Sequence, residues 1–202
     1  MLLPFSQACE NNKSPILDVL QPAFSDSSRV LEVGSGTGQH AVYFAQHMPH
    51  LTWQCSDQAR YLEGLQQRIE QAALPNLPPP IELDITNNSY NQPPVDAIFS
   101  ANTLHIMSWP TVQQFFQRLP DFCNLNSGNT KAALCIYGPF NYNGAFTSDS
   151  NQAFDRSLRA RDPQMGIRDI EDIQPLAKAQ GFHLHKDHSM PANNRLLHFL
   201  RD

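Results

Sequence analysis

Long apolar runs are missing from this 202-residue chain. None approaches the roughly 20 residues that span a bilayer, so no membrane partner is expected. The opening residues Met1-Leu2-Leu3-Pro4-Phe5 have neither a basic region nor an extended apolar segment. No signal peptide is apparent, and the cytoplasm is the expected compartment. Cysteine is sparse: Cys9, Cys55, Cys123 and Cys135 stand far apart with no C-x-x-C pair. That argues against a zinc ribbon or a disulfide framework. Positive charge is short as well, with 14 Lys and Arg against 19 Asp and Glu and a formal net charge of −5. Such a field does not attract phosphate backbones, so nucleic acid is not an expected partner. Arg156, Arg159, Arg161 and Arg168 form one local cluster, but Asp155, Asp162, Asp169, Glu171 and Asp172 interleave with it. It reads as a solvated helix face.

What is present is an alternation of strand-like and helix-like runs. Strands are expected at Val30–Val33, Leu51–Cys55, Ile81–Ile85, Ala97–Ser100 and Ala132–Tyr137. Helices are expected at 14–20, 58–73, 111–119, 152–161 and 170–180, with a proline-rich loop at Leu74–Pro80. Alternation of this kind predicts a mostly parallel sheet with helices on both faces. The tail breaks it. Phe182–His188 and Leu196–Leu200 flank Met190-Pro191-Ala192-Asn193-Asn194 with no room for a helix, and should pair as an antiparallel hairpin. A Rossmann-like α/β sheet closed by such a hairpin is the class I methyltransferase arrangement. One domain over residues 1–202 is the simplest organisation, with 1–20 as a possible lid.

The first strand runs into Glu32-Val33-Gly34-Ser35-Gly36-Thr37-Gly38-Gln39-His40. Strand, glycine turn and helix start present backbone N–H groups to a nucleotide-like ligand. Gln39 stands where a dinucleotide motif would place its third glycine. Glu32 would repel a pyrophosphate but suits a ligand with a cationic amino group. S-adenosylmethionine fits that description, and Glu32, Gly34, Ser35, Gly36 and Gly38 are its expected contacts. At the end of the second strand Asp57 can accept both ribose hydroxyls, with Gln58 beside it. Asp84 and Ile85 at the end of the third strand suit the amino group and ring face of adenine. Asn102 and Leu104 follow the fourth. A cap or a turn would account for Asp57 or Asp84 alone, but three acids at three successive strand ends are better explained by one ligand.

Together these motifs resemble a family of S-adenosylmethionine-dependent methyltransferase-like proteins known as domain of unknown function 938. The resemblance is carried by Ala8–Leu17, the glycine motif, Ala101–Ile106, Tyr137–Gly144, Thr147–Asn151, Gly166–Asp169 and Met190–Asn194. It covers nearly the whole chain and implies the cofactor and the fold, while leaving the methyl acceptor open.

On the acceptor side, no Asn/Asp-Pro-Pro-Tyr follows the fourth strand, which favours a small molecule over a nucleobase. His105 has the pKa range of a general base, although a packed histidine would look the same. Tyr142 is a candidate positioning residue. Tyr137, Phe140, Asn141 and Asn143 could line the pocket, and Asn12 and Lys13 could close over it. His183, His185 and His188 read as a strand face, and no metal is expected. The leading reading is a methyltransferase acting on a small molecule. A protein that binds the cofactor without transferring its methyl group, and an NAD-dependent oxidoreductase, are the alternatives. The oligomeric state is not read from the sequence.

Overall fold

The computed structural model describes residues 3–87, 90–123 and 131–201. In chain order the first half comprises α1 (Gln7–Ala23), β1 (Arg29–Val33), α2 (Gln39–His47), β2 (Thr52–Asp57), α3 (Ala59–Ala72), β3 (Ile81–Glu82) and β4 (Ala97–Ala101). The second half comprises α4 (Trp109–Gln117), α5 (Leu119–Cys123), β5 (Ala132–Gly138), β6 (Phe140–Asn141), α6 (Asp149–Arg161), β7 (Arg168–Asp169), α7 (Ile170–Ala179), β8 (His183–Met190) and β9 (Asn194–Arg201). Seven strands form one sheet in the order β3-β2-β1-β4-β5-β9-β8. The first five are parallel, and β9 runs antiparallel to both β5 and β8. The expected sheet and terminal hairpin are both present. The order reverses between β1 and β4, and that reversal opens the crevice where such sheets bind ligands.

Both faces of the central strands are covered, so their side chains are apolar in both directions. Val30, Trp53, Ala97, Phe99 and Cys135 pack under α1, α2 and α3, where Phe44 meets Trp53 and Phe99 at 5.3 and 5.5 Å between ring centroids. Leu31, Ile98, Leu134 and Ile136 pack on the other face against Phe115, Phe116, Phe122 and Ile173. At the lower edge the Asp96 carboxylate accepts from the Ser28 and Arg29 N–H groups at 2.9–3.0 Å, locking the start of β1 to that of β4.

Three boundaries differ from expectation for local reasons. Helix α1 begins seven residues earlier than the expected Ser14, because Ser6 caps it by accepting from Cys9 N–H at 3.3 Å. Strand β3 keeps two residues of the expected Ile81–Ile85. Proline at 78–80 offers no ladder donor before it, and Asp84 turns the chain after it by accepting from Thr86 N–H at 2.9 Å. In β8 a bulge between Leu184 and Lys186 breaks the alternation expected for His183 and His185. His185 instead faces His198 on β9, 5.2 Å away. Among the described residues no group of three His, Cys, Asp or Glu side chains converges to hold a metal ion.

One buried carboxylate fixes the top of β1. Glu32 is 1 % exposed and accepts at Oε2 from Trp53 Nε1 of β2 and from the Ser35 hydroxyl, each at 3.0 Å. The Ser56 hydroxyl donates to the Glu32 carbonyl at 2.7 Å. Strand, turn and neighbouring strand are thereby tied at one point. Burial raises the Glu32 carboxyl from 4.5 to about 7. Between those values the folded protein holds a proton that the unfolded chain has lost. This contribution therefore favours folding below about pH 4.5 and disappears as the pH rises through 7. The stability of the wild type minus that of Glu32→Gln should fall, between about pH 5 and about pH 8, by on the order of 3 kcal/mol. Buried histidines with lowered pKa values cancel in that difference. Denaturant melts of both proteins across the range would measure it, and a difference independent of pH would mean that Glu32 stays ionised when folded.

Candidate functional site

A cavity of about 1010 Å³ opens above the carboxyl ends of the parallel strands. Its floor is the glycine turn. Gly34, Ser35 and Gly36 all line it, and Gly34 and Gly36 hold left-handed φ values of +79° and +53°. A Cβ on Gly34 would lie 2.5 Å from the Thr103 methyl, so the turn and the segment after β4 can touch only at glycine. At Gly36 a Cβ would meet nothing within 4 Å, because this backbone faces open space. Gly38 is not part of the lining. It starts α2 with φ +73°, and a Cβ there would strike Leu65 of α3 at 2.7 Å.

Asp57 is the best-positioned polar group in the cavity. Its Oδ2 accepts from Gly36 N–H at 2.7 Å and its Oδ1 from Gln58 N–H at 2.8 Å. Each oxygen thus spends one lone pair on the backbone and keeps another for a ligand. Burial pushes the Asp57 carboxyl up, and the two N–H groups pull it back. Gln58 lines the cavity beside it, with Asp84 and Ile85 supplied from beyond β3. Both hydrogen bonds to the Asp84 side chain, from Thr86 N–H and hydroxyl at 2.9 and 2.8 Å, fall on Oδ1, and they hold this carboxyl below its ordinary range. Asn102 completes this side in a left-handed conformation with φ +59°, its N–H bonded to the Tyr137 carbonyl at 2.8 Å.

The chain before α1 closes over the glycine turn. Gln39 Oε1 accepts from Ser6 N–H at 2.6 Å and from the Thr37 hydroxyl at 3.0 Å, and its Nε2 donates to Glu10 at 2.6 Å. Arg68 of α3 donates to the Thr37 and Pro4 carbonyls. Ser6, Ala8 and Cys9 consequently form part of the cavity wall. The residue that departs from the dinucleotide pattern is the one that straps the amino-terminal segment down.

Across the cavity stands His105, 6 % exposed, with Phe154 of α6 edge-on at 5.3 Å. Desolvation, with help from Arg168 and Arg161, lowers its pKa to about 4, so the imidazole is neutral at physiological pH. Arg168 itself serves the backbone, donating to Leu104 O at 3.2 Å and Gln164 O at 2.9 Å. Arg159 pairs with Asp155 at 2.7 Å. Asp155 is buried and also accepts from Ile167 N–H at 2.8 Å, so it braces a loop, while Arg156, Arg159 and Arg161 form the exposed helix face expected.

Several expected site residues lie elsewhere. Glu32 is beneath the turn, held by Trp53 and Ser35 as described, and does not reach the cavity. Leu104 points into the core. Asn12 is buried against His40, whose Nε2 is 2.6 Å from its Oδ1, and Lys13 pairs with Glu10, so neither covers the opening. Tyr137 and Phe140 are core residues, and Asn141 is buried outside the cavity wall. Tyr142 donates to Asp187, which also accepts from Arg195 at 2.8 Å, and Asn143 sits in the adjoining turn. For Phe140 to Asn143 the cause is the pairing of β6 with β7, which draws the chain after Pro139 away from the strand ends. Sequence reasoning in turn missed His40, Thr103, Met107, Asn151, Phe154 and Asn194, all in the lining. Asn151 and Asn194 close two of the segments that carry the family resemblance, and that was the available signal.

Solved structures of similar fold agree with the topology. An O-methyltransferase family protein from Burkholderia thailandensis superposes with a TM-score of 0.80 at 15% identity, covering 94% of this chain and 56% of that one. An O-methyltransferase family 2 protein from Planctomyces limnophilus DSM 3776, in complex with apigenin, gives 0.79 at 16%, covering 95% and 58%. The O-methyltransferase NcsB1 of neocarzinostatin biosynthesis, in complex with S-adenosylmethionine and a naphthoic acid, gives 0.75 at 12%, covering 95% and 54%. The chain spans little more than half the length of these structures, and at such identities the likeness is one of fold. At the level of sequence, the model of one family matches residues 3–201. With nearly every residue inside that match, the chain belongs to the family described as protein of unknown function DUF938.

Proposed function

We propose that this protein is an S-adenosylmethionine-dependent methyltransferase acting on a small molecule. The observation that carries the reading is Asp57. Its carboxylate is fixed by two backbone N–H groups, one of them from the glycine turn, and faces the cavity with lone pairs to spare for a pair of vicinal hydroxyls. Gly36 leaves the backbone beside it uncovered, and Ile85 offers an apolar surface with Asp84 next to it for an adenine ring and its amino group. The NAD alternative suits this site less well. Ser6 is strapped across the start of α2, where a pyrophosphate would seat, and two carboxylates line the same side.

When bound, the cofactor would supply an activated methyl group on a sulfonium. The chain then has to align an acceptor, exclude water and, for a hydroxyl acceptor, receive a proton. The volume is at the upper end for ligand pockets, which leaves room for an acceptor beside the cofactor. His105, neutral and in the wall, is the group available to take the proton. The similar folds solved with apigenin and with a naphthoic acid support a small-molecule acceptor. The amino-terminal segment acts as the cover over the cofactor, through Ser6 and Cys9 and not through Asn12 and Lys13.

Two measurements test this. S-adenosylhomocysteine at about 100 times its Kd should stabilise the protein by roughly 2.7 kcal/mol in a thermal-shift assay, with no comparable shift from NAD. A shift from NAD as large would overturn the reading. Asp57→Ala should bind S-adenosylhomocysteine roughly tenfold to a hundredfold more weakly in calorimetry while still folding, the loss of a charge-assisted contact to two hydroxyls. Unchanged affinity in the folded variant would remove Asp57 from the site.

A further inference from the structure

We propose that the part of the cavity beyond β4 binds an uncharged aromatic hydroxyl compound, seated on Ile106, Met107, Pro139 and Phe154 with its hydroxyl directed at His105. The proposal rests on the methyltransferase reading and names the chemical class of its acceptor.

The first observation is where apolar surface is left open. Among the described residues four large apolar side chains are exposed: Phe5, Tyr61, Ile106 and Phe154, at 65, 47, 45 and 38 %. Three of them belong to the rim or wall of this one cavity, Ile106 and Phe154 in the part beyond β4 and Tyr61 at the start of α3 on the opposite side. Scattered exposed apolar residues mean little, but their convergence on one concave site marks a surface that a ligand covers. Phe154 presents its ring edge-on to His105, and Met107 adds a polarisable thioether, a pair well suited to a planar partner.

The second observation is the distribution of charge. The charged side chains in the lining are Asp57, Arg60 and Asp84, all contributed by segments at or after β2 and β3. The lining residues from beyond β4, from α6 and from the β8–β9 turn include none. The cations close by stand outside the lining: Arg168 is held by backbone carbonyls and lies over the Trp109 ring, Arg159 pairs with Asp155, and Arg161 is on the exposed face of α6. A carboxylate or ammonium entering there would lose its hydration without gaining a partner. Polarity on this side is neutral, supplied by groups such as Asn151, whose Nδ2 is fixed on Thr147 Oγ1 and the Asn193 carbonyl at 2.8 and 3.0 Å.

The third is His105. Its ring nitrogens have no hydrogen-bond partner among the described residues, although the residue is 6 % exposed and lines the cavity. Burial keeps it unprotonated at neutral pH, so a ring nitrogen facing the cavity is free to accept a hydrogen bond from the hydroxyl. In the transfer the acceptor oxygen would take the methyl group while sulfur keeps the electron pair of the broken bond, and His105 would hold the hydroxyl proton as it leaves. Charge balances on both sides.

The test uses the whole chain saturated with S-adenosylhomocysteine. Naphthol, naphthoate and naphthylmethylamine, three probes sharing one ring system, are titrated at neutral pH and followed by naphthyl fluorescence. Naphthol should bind about tenfold or more tightly than either charged probe. Phe154→Ala should weaken naphthol by about tenfold and leave S-adenosylhomocysteine affinity unchanged, and Phe154→Leu should recover part of the loss. Should Phe154→Ala fail to fold, Ile106→Lys on the exposed rim should reverse the preference toward naphthoate. If S-adenosylhomocysteine itself does not bind, the methyltransferase reading falls. If it binds while naphthol does not, or while a charged probe binds as tightly as naphthol, the acceptor class alone is overturned.

Discussion

The glycine turn after β1 is held by two carboxylates, one below it and one beside it, and the rest of the site is arranged around that grip. Glu32 takes hydrogen bonds from Trp53 and Ser35, fixing the start of the turn to β2 from inside the core. Asp57 takes one from Gly36 N–H, fixing the middle of the turn to the end of β2. A glycine-rich segment has more backbone freedom to lose on folding than any other. Without these anchors the turn would not present a single surface. With them, the turn is tied to β2 at two points before any ligand arrives, which lowers the ordering cost of binding.

The same burial that permits this grip sets the electrostatics of the cavity. Glu32 is pushed up to about 7, and His40 and His105 are lowered to about 4, in each case chiefly by desolvation. Formal charge in the lining is therefore confined to the side built from β2 and β3, where Asp57, Arg60 and Asp84 stand. The opposite side carries no charged side chain and mixes apolar Ile106, Met107, Pro139 and Phe154 with neutral polar groups such as Asn151. One sheet thus offers two adjoining surfaces of different chemistry, one lined by charged groups and one lined only by neutral groups.

Much of this was legible in the sequence because the signals were local. The run from Val30 to His40 encodes strand, turn and helix within eleven consecutive residues, and Asp57 ends β2 while Asp84 comes two residues after β3. The terminal hairpin was equally plain, since no helix fits between Phe182–His188 and Leu196–Leu200. The far wall was not legible. Phe154, Asn151 and Asn194 reach the cavity from elements far along the chain, through the packing of α6 and the β8–β9 turn. The aromatic and amide cluster after β5 misled for the opposite reason. Tyr142 follows a strand end in sequence, but the β6–β7 pairing carries it to Asp187 and Arg195. Glu32 shows a subtler limit. Its type and position were informative, yet a strand residue's direction depends on which face its neighbours bury, and Glu32 points at Trp53 and not at the cavity.

The central claim is that this sheet holds S-adenosylmethionine across the carboxyl ends of β1, β2 and β4. Diffraction from crystals grown with S-adenosylhomocysteine tests it most directly. The account predicts both ribose hydroxyls within hydrogen-bonding distance of Asp57, adenine against Ile85 with its amino group at Asp84, and the sulfur facing the side occupied by Asn102 and His105. Ligand density anywhere else, or a ribose that makes no contact with Asp57, would contradict it.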